Sequence, residues 1–381
     1  MTAGIETLSV VRDGEGYVLG SPRTGAFVAV PEIGGRVVLW LRDGLSVQEC
    51  ARRAGDEIGE PVDVAGFLNG LTEAGLLETE ATEDVEPGIS ERRRRVGRML
   101  FGPVGLTVQV ALSLTAVVLC CTDSRLRPSS VDAVATSVPL VSILILLVVG
   151  TVLGALHELA HVLAAWATGV PSRVSVGRRM AAVVLQTDLT RLWSVPRRQR
   201  IVPLAAGMLL DAALIGAILA VQSVTPVPHA LRVVVFANVT AIAYQFLIFL
   251  RTDVYALFLV ATGCRNLWGV KGALARRAVG RASDADRALL AATAPREIAW
   301  SRAFLLLYLP GAALTAAYFV AFALPAFVRL VGGAVHAIAD HGAASPDGAA
   351  GVLAVLVTAV ALGYVLWGLG RSGYRIVQAM R

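Results

Sequence analysis

The chain has 381 residues, of which 56% are hydrophobic and 16% charged, and its net charge is +6. That balance excludes an ordinary soluble protein, and several apolar runs are long enough to cross a bilayer. The four cysteines, Cys50, Cys120, Cys121 and Cys264, have neither metal-ligand spacing nor a disulfide-framework look, and Met1 to Arg12 lacks the basic region and apolar core of a secretory signal.

Residues 1–80 read as a small soluble domain. Gly16 to Gly20 and Ala26 to Val30, separated by the turn-rich Ser21-Pro-Arg-Thr-Gly25, predict a β-hairpin. Ile33, Val37, Val38 and Leu41 lie at helical spacing, and Asp43-Gly44 closes that helix. Ser46 with Glu49 forms a capping-box pattern for a second helix through Ala54. Asp63 caps a third, with Phe67, Leu68 and Leu71 inward and Gly75 at its end. Two strands followed by three short helices make a winged-helix-like α+β plan. No basic recognition helix accompanies it, so nucleic acid is not an expected partner.

Residues 81–98 form a charged linker, acidic at first and then Arg92 to Arg95 with Arg98. A first apolar run follows, about Phe101 to Cys121, and the basic cluster before it sets that end in the cytoplasm. Further runs cover Val138 to Thr168, Ile201 to Val221, Leu231 to Leu250, Ala303 to Leu330 and Ala350 to Leu369. Between the second and third, Arg173 to Gly177 and Ala181 to Thr187 predict another hairpin within an Arg-rich segment. Residues 264–302 are polar, basic and helical in parts, and Pro310 and Pro325 predict kinks in the fifth run. Val331 to Ala349 is Gly/Ala-rich and reads as an outer loop. Every Arg-rich segment falls on one side. The expected fold is therefore mostly α: six spans in the cell membrane, both termini cytoplasmic, behind the small N-terminal domain. Residues 99–263 form its core and 303–381 a C-terminal two-span segment.

The second run carries His157-Glu158-Leu-Ala-His161. Two histidines four apart project from one helix face, the separation at which both reach a single Zn²⁺ at ~2.0–2.1 Å. Glu158, beside the first ligand, is placed to act as a general base. Ionisable groups inside a span are costly and point to function.

A catalytic zinc commonly takes a third protein ligand at the same depth. Counting ~1.5 Å per residue from the outer end sets the histidines ~28–35 Å in and Asp253 at ~33 Å. Asp211, only ~15 Å from the cytoplasmic edge, lies nearer the midplane. Depth selects Asp253, against a plain interfacial pairing of Asp253 with Arg251. Asp211 is left as either a partner for Arg232 or a helper near the site.

Two resemblances follow from these residues. His157-Glu158-x-x-His161 in a span, the hairpin after it and Asp253 two spans later resemble the site-2 protease family of intramembrane zinc metallopeptidases. The likeness spans roughly residues 140 to 270. Leu204-Ala-Ala-Gly207-Met-Leu-Leu-Asp211 is similar to the family's A-G-P-x-x-N stretch, departing at Met208 and Asp211. Leu250-Arg-Thr-Asp253-Val-Tyr255, with Gly263 and Asn266-Leu267, looks like a D-G-Y…G…N-L segment found in a peptide zinc metalloprotease branch, with Val254 replacing the glycine. The N-terminal segments Asp43-Gly44, Glu49 and Phe67-Leu68 through Leu76-Leu77 resemble PqqD-like domains, which recognise leader peptides in ribosomal peptide biosynthesis.

Together the resemblances imply a membrane-embedded zinc endopeptidase with His157, His161 and Asp253 on Zn²⁺ and Glu158 as base. Its expected substrate is a peptide precursor whose leader is removed. The hairpin edge is expected to pair with the extended substrate, and the N-terminal domain to hold the leader. Two alternatives stand beside it: regulated intramembrane proteolysis of a membrane-anchored regulator, and a peptide export or immunity protein without hydrolysis.

Overall fold

The computed structural model describes residues 4–21, 24–77, 89–179, 182–225, 229–246, 252–264 and 266–379. The acidic part of the expected linker, together with Leu250 and Arg251 at the end of the expected fourth span, lies outside the described residues.

The N-terminal domain has three strands rather than two. β1 (Ser9–Asp13), β2 (Gly16–Gly20) and β3 (Phe27–Pro31) form an antiparallel meander in sequence order. β1 joins β2 through Gly14-Glu15, with Gly14 at φ 65°, and Asp13 pairs with Gly16. The helices α1 (Glu32–Arg42), α2 (Val47–Ile58) and α3 (Val64–Glu73) follow as expected, α2 running one turn further. Ser46 and Asp63 accept from the Glu49 and Gly66 amides, satisfying N–H groups that α2 and α3 cannot pair internally. Only half of the expected capping box forms, because Glu49 turns outward to Arg52 and Arg53. Leu19, Val38, Cys50, Ala54, Val64 and Leu68 fill one apolar core.

The basic cluster is itself helical: α4 (Glu91–Phe101) ends at Gly102, and Pro103 opens α5 (Pro103–Thr122). α6 (Pro139–Ala167) is followed by the hairpin β4 (Arg173–Arg179) and β5 (Ala182–Asp188), then α7 (Arg197–Val224). Small residues let these helices meet closely. A side chain at Gly97 would overlap the α6 backbone at Leu163 and Ala167, and one at Gly216 would overlap the Leu112 carbonyl of α5. Ala160 and Ala164 of α6 pack with Ala206 of α7 in a shared cluster, which draws the two helices together below the histidines.

α8 (His229–Gln245) is 17 residues long, shorter than the expected fourth span. After it, α9 (Asp253–Thr262), α10 (Leu267–Ala278) and α11 (Asp284–Ala292) are short helices. α12 (Pro295–Tyr318) runs through Pro310, and a π-turn over Phe319–Ala323 leads into α13 (Leu324–His341). That wider turn sits just before Pro325, which has no N–H to continue the α-helical ladder. The expected outer loop from Val331 is mostly helix instead. α13 continues to His341, only about one turn of chain precedes α14 (Pro346–Ala379), and Gly351 of α14 lies against the Ala334 carbonyl. Within that stretch Gly333 lies against the Pro139 side chain of α6, and Ala334 is fully buried. Five described helical segments are long and apolar enough to cross a membrane: Glu91–Thr122, Pro139–Ala167, Arg197–Val224, Ala316–His341 and Pro346–Gly363.

Candidate metal centre

α6 carries His157 and His161 on the face turned to α7, and both are buried. α7 meets them with three residues spaced four apart, Pro203, Gly207 and Asp211, which line one stripe of a helix. The Pro203 carbonyl accepts from His161 Nδ1 at 2.7 Å. The Asp211 carboxylate lies 2.7 Å from His157 Nδ1. Gly207 faces the His157 ring so closely that a methyl group there would overlap it.

A carbonyl oxygen can only accept, so His161 carries its proton on Nδ1, and the Asp211 carboxylate selects the same tautomer for His157. Both Nε2 atoms are then bare lone pairs, and they face each other at 3.2 Å. Asp253 adds a third: its Oδ2 is 2.9 Å from His157 Nε2 and 3.2 Å from His161 Nε2. With both histidines neutral, two imidazole nitrogens and a carboxylate oxygen converge, a donor set that suits a cation. Ligands bound at ~2.0–2.1 Å at tetrahedral angles lie about 3.3 Å apart, close to these separations. His157, His161 and Asp253 can therefore hold a metal ion.

The expected trio thus comes together, by a different route for Asp253. It is the first residue of α9, with Thr252 at the N-cap position. Its backbone N–H donates to Gln245 Oε1 at 3.2 Å, and Thr252 Oγ1 donates to the Gln245 carbonyl. The last turn of α8 thereby holds the first turn of α9 under the histidines. Of the two roles open to Asp211, the structure selects the helper near the site, because Arg232 pairs with Asp132 at 2.7 Å. Gly263 and Asn266 have structural duties: Gly263 ends α9 at φ 72°, and the Asn266 side chain caps α10.

Glu158 stands beside the trio and does not join it. Thr187 of β5 lies with its hydroxyl 2.8 Å from the Glu158 carboxylate and 2.9 Å from the Glu158 carbonyl. The hairpin is thus tied to α6 at the residue adjoining the first ligand. A cavity of about 350 Å³ opens here, lined by Gly154, His157, Glu158, Leu185, Tyr244 and Gln245 among others. Comparison with family models, with curated proteins and with solved structures returns no match.

Proposed function

We propose that the protein is a membrane-embedded zinc endopeptidase, multi-pass in the cell membrane with its Arg-rich segments on the cytoplasmic side. The observation that carries this reading is the buried convergence of His157, His161 and Asp253 beside Glu158, at the wall of an open cavity. Two imidazoles and one carboxylate are a zinc donor set, and three protein ligands leave one position open, as in catalytic rather than structural zinc sites. A zinc ion held by His157, His161 and Asp253 would supply Lewis-acid chemistry, acidifying a water and polarising a peptide carbonyl.

The chain's own groups supply the rest. Glu158 takes the proton of the attacking water and returns it to the leaving amine, so that one carboxylate serves as base and then as acid. The Thr187 hydroxyl orients that carboxylate. The hairpin offers main-chain groups for pairing with an extended substrate. Behind this sits the reading of the N-terminal domain as a leader-peptide binder, which makes precursor trimming the favoured role and membership of the site-2 protease family the proposed kinship.

The test is direct. Purified protein in lipid vesicles is incubated with a library of extended peptides, and products are identified by mass spectrometry. Wild-type protein is expected to bind one zinc and to generate cleavage products, while Glu158→Gln keeps its zinc and generates none. Equal cleavage by the variant refutes the assignment.

A further inference from the structure

Away from the metal centre, α10, α11 and α12 pack into a small cluster of their own around Val270, Ala273 and Leu290. Arg276 of α10 donates to Asp286 of α11 at 2.8 Å, which fastens those two helices together. The three helices border an open cavity of about 480 Å³. Its apolar lining is Leu274, Leu290 and Ile298, and its charged lining is Arg277, Arg287 and Arg302, one guanidinium from each helix. Among the described residues no carboxylate lines it.

Three like charges gathered from three helices repel one another, an arrangement that suits the reception of an anion. Arg287 is steadied by Asp284 at 2.7 Å and by the Ala282 carbonyl at 2.9 Å. Arg277 and Arg302 make no ion pair or side-chain hydrogen bond among the described residues, so both are open to a ligand. A guanidinium meets a phosphate through two parallel N–H bonds, which makes arginine the cation best matched to that group.

The apolar lining and the level of the cavity identify the rest of the ligand. Arg302 is followed directly by the apolar run that begins at Ala303. Leu306, Pro310 and Ala313 continue from Arg302 at helical spacing along one stripe of α12, and all three are exposed, Leu306 by 73%. Trp300, two residues before Arg302 and also exposed, is a residue type enriched where membrane meets water. A molecule with its phosphate at the arginines therefore finds apolar surface leading from the cavity along α12. A soluble phosphate would leave that surface uncovered.

We propose that this cavity binds one anionic phospholipid. Arg277, Arg287 and Arg302 hold its phosphate, and an acyl chain lies over Leu290 and Ile298 and along Leu306. The site is separate from the metal centre and stands whether or not that centre hydrolyses peptides.

The test uses the full-length protein in a neutral detergent, with bound lipid counted by native mass spectrometry. Dioleoyl phosphatidylglycerol is the probe. Dioleoyl phosphatidylcholine has the same chains without the net charge, and glycerol phosphate has the anion without the chains. Wild-type protein is expected to retain one phosphatidylglycerol in preference to phosphatidylcholine, and excess glycerol phosphate is expected not to displace it. The arginines are exposed, so their variants should fold as wild type. The double variant Arg277→Gln/Arg302→Gln is expected to bind phosphatidylglycerol about 25-fold more weakly, at roughly fivefold for each arginine held near an anionic lipid. Arg281→Gln removes an exposed arginine of the same segment that does not line the cavity, and it is expected to bind as wild type.

Wild-type affinity in the double variant overturns the site, and so does equal binding of the two lipids. Displacement by glycerol phosphate also overturns it, because the ligand would then be a soluble anion. An equal loss in Arg281→Gln overturns it as well, since the attraction would belong to surface charge at large.

Discussion

Asp211, a residue only 2% exposed, accepts from His157 Nδ1 at 2.7 Å through its carboxylate. A carboxylate so deep in an apolar helix needs a compensating partner, because desolvation of an unpaired charge is expensive. The imidazole supplies it and gains in return: its tautomer is fixed, its ring cannot swing, and its Nε2 becomes a more basic ligand. With the Pro203 carbonyl doing the same for His161, α7 supports the two histidines of α6 while contributing no ligand itself.

Removal of that support is expected to act on the metal before it acts on the fold. Asp211→Ala should weaken zinc binding by roughly 10–100-fold, the usual effect of losing an outer partner of a ligand histidine. Asp211→Asn keeps an acceptor oxygen without the charge and should fall between the two. Competition against a chelator of known affinity measures both. Unchanged affinity in Asp211→Ala would reduce the contact to packing.

Gly207 makes a steric version of the same point. A methyl group there would overlap Nε2, Cδ2 and Cε1 of His157, so either the ring rotates or α7 retreats. Gly207→Ala is expected to cost about 1–3 kcal/mol by overpacking and, in addition, to lose zinc. Gly216→Ala is the control, because its methyl would meet the Leu112 carbonyl on α5, away from the histidines. It should lower thermal stability and keep its metal. If both variants keep their metal equally well, Gly207 is only a packing glycine.

How much of this centre was legible in the sequence depends on how each residue acts. His157 and His161 carry a spacing signal that α-helical geometry converts into a shared face. Asp253 is marked by its depth in the chain count, while its place at the start of α9 is not, because an apolar stretch carries no signal of where one helix stops and the next begins. Asp211 was visible as an intramembrane carboxylate, but linear sequence does not say which of two partners it faces. Pro203 acts through a backbone carbonyl, which every residue has, and Gln245 and Thr187 are ordinary polar residues at the ends of their elements. None of these three has a pattern to find. Elsewhere β1 carries little strand signal despite its Asp13-Gly14 turn, since five residues with two adjacent valines alternate too little. α13 is masked in the sequence by the adjacent Gly332 and Gly333, which carry a weak helical signal.

A pH dependence belongs to the polar helices outside the spans. Arg276 of α10 makes two hydrogen bonds to Asp286 of α11, and these hold the Asp286 carboxyl well below the usual carboxylate range, with the Ser283 amide assisting. A depressed carboxylate stabilises the fold at any pH above its unfolded value of roughly 3.9, and that stabilisation is lost as pH falls through the folded value. Hydrogen-exchange protection factors in α11, taken relative to the intrinsic exchange rate at each pH, should therefore be flat from neutral pH down to about 4 and fall below it. Asp286→Asn should remove the acid limb. An acid limb of the same size in the variant would assign it to another group.

A buried ion pair links the N-terminal domain to α7. Arg200, in the first turns of α7 and 1% exposed, reaches Asp13 of β1 at 2.9 Å. Its guanidinium also donates to the Val195 carbonyl at 2.9 Å and lies over the Trp193 ring at 4.5 Å from its centre. A charge held this way is tolerable only while its counter-charge stays, and breaking a buried pair from one side typically costs about 3–5 kcal/mol. Asp13→Ala leaves the arginine buried and unpaired, so the domain should detach from the 190–194 turn to let water reach it. The N-terminal core around Leu19, Val38 and Leu68 makes no use of this pair and should stay folded. Hydrogen exchange should then rise at the β1–β2 turn and at residues 190–194 and remain slow in α1 and α3. Arg200 lies one turn before Pro203, the His161 support, so release of the pair should also weaken zinc binding, by less than Asp211→Ala does. Unchanged exchange at the turn would show that the domain is held by its apolar contacts, with the ion pair incidental.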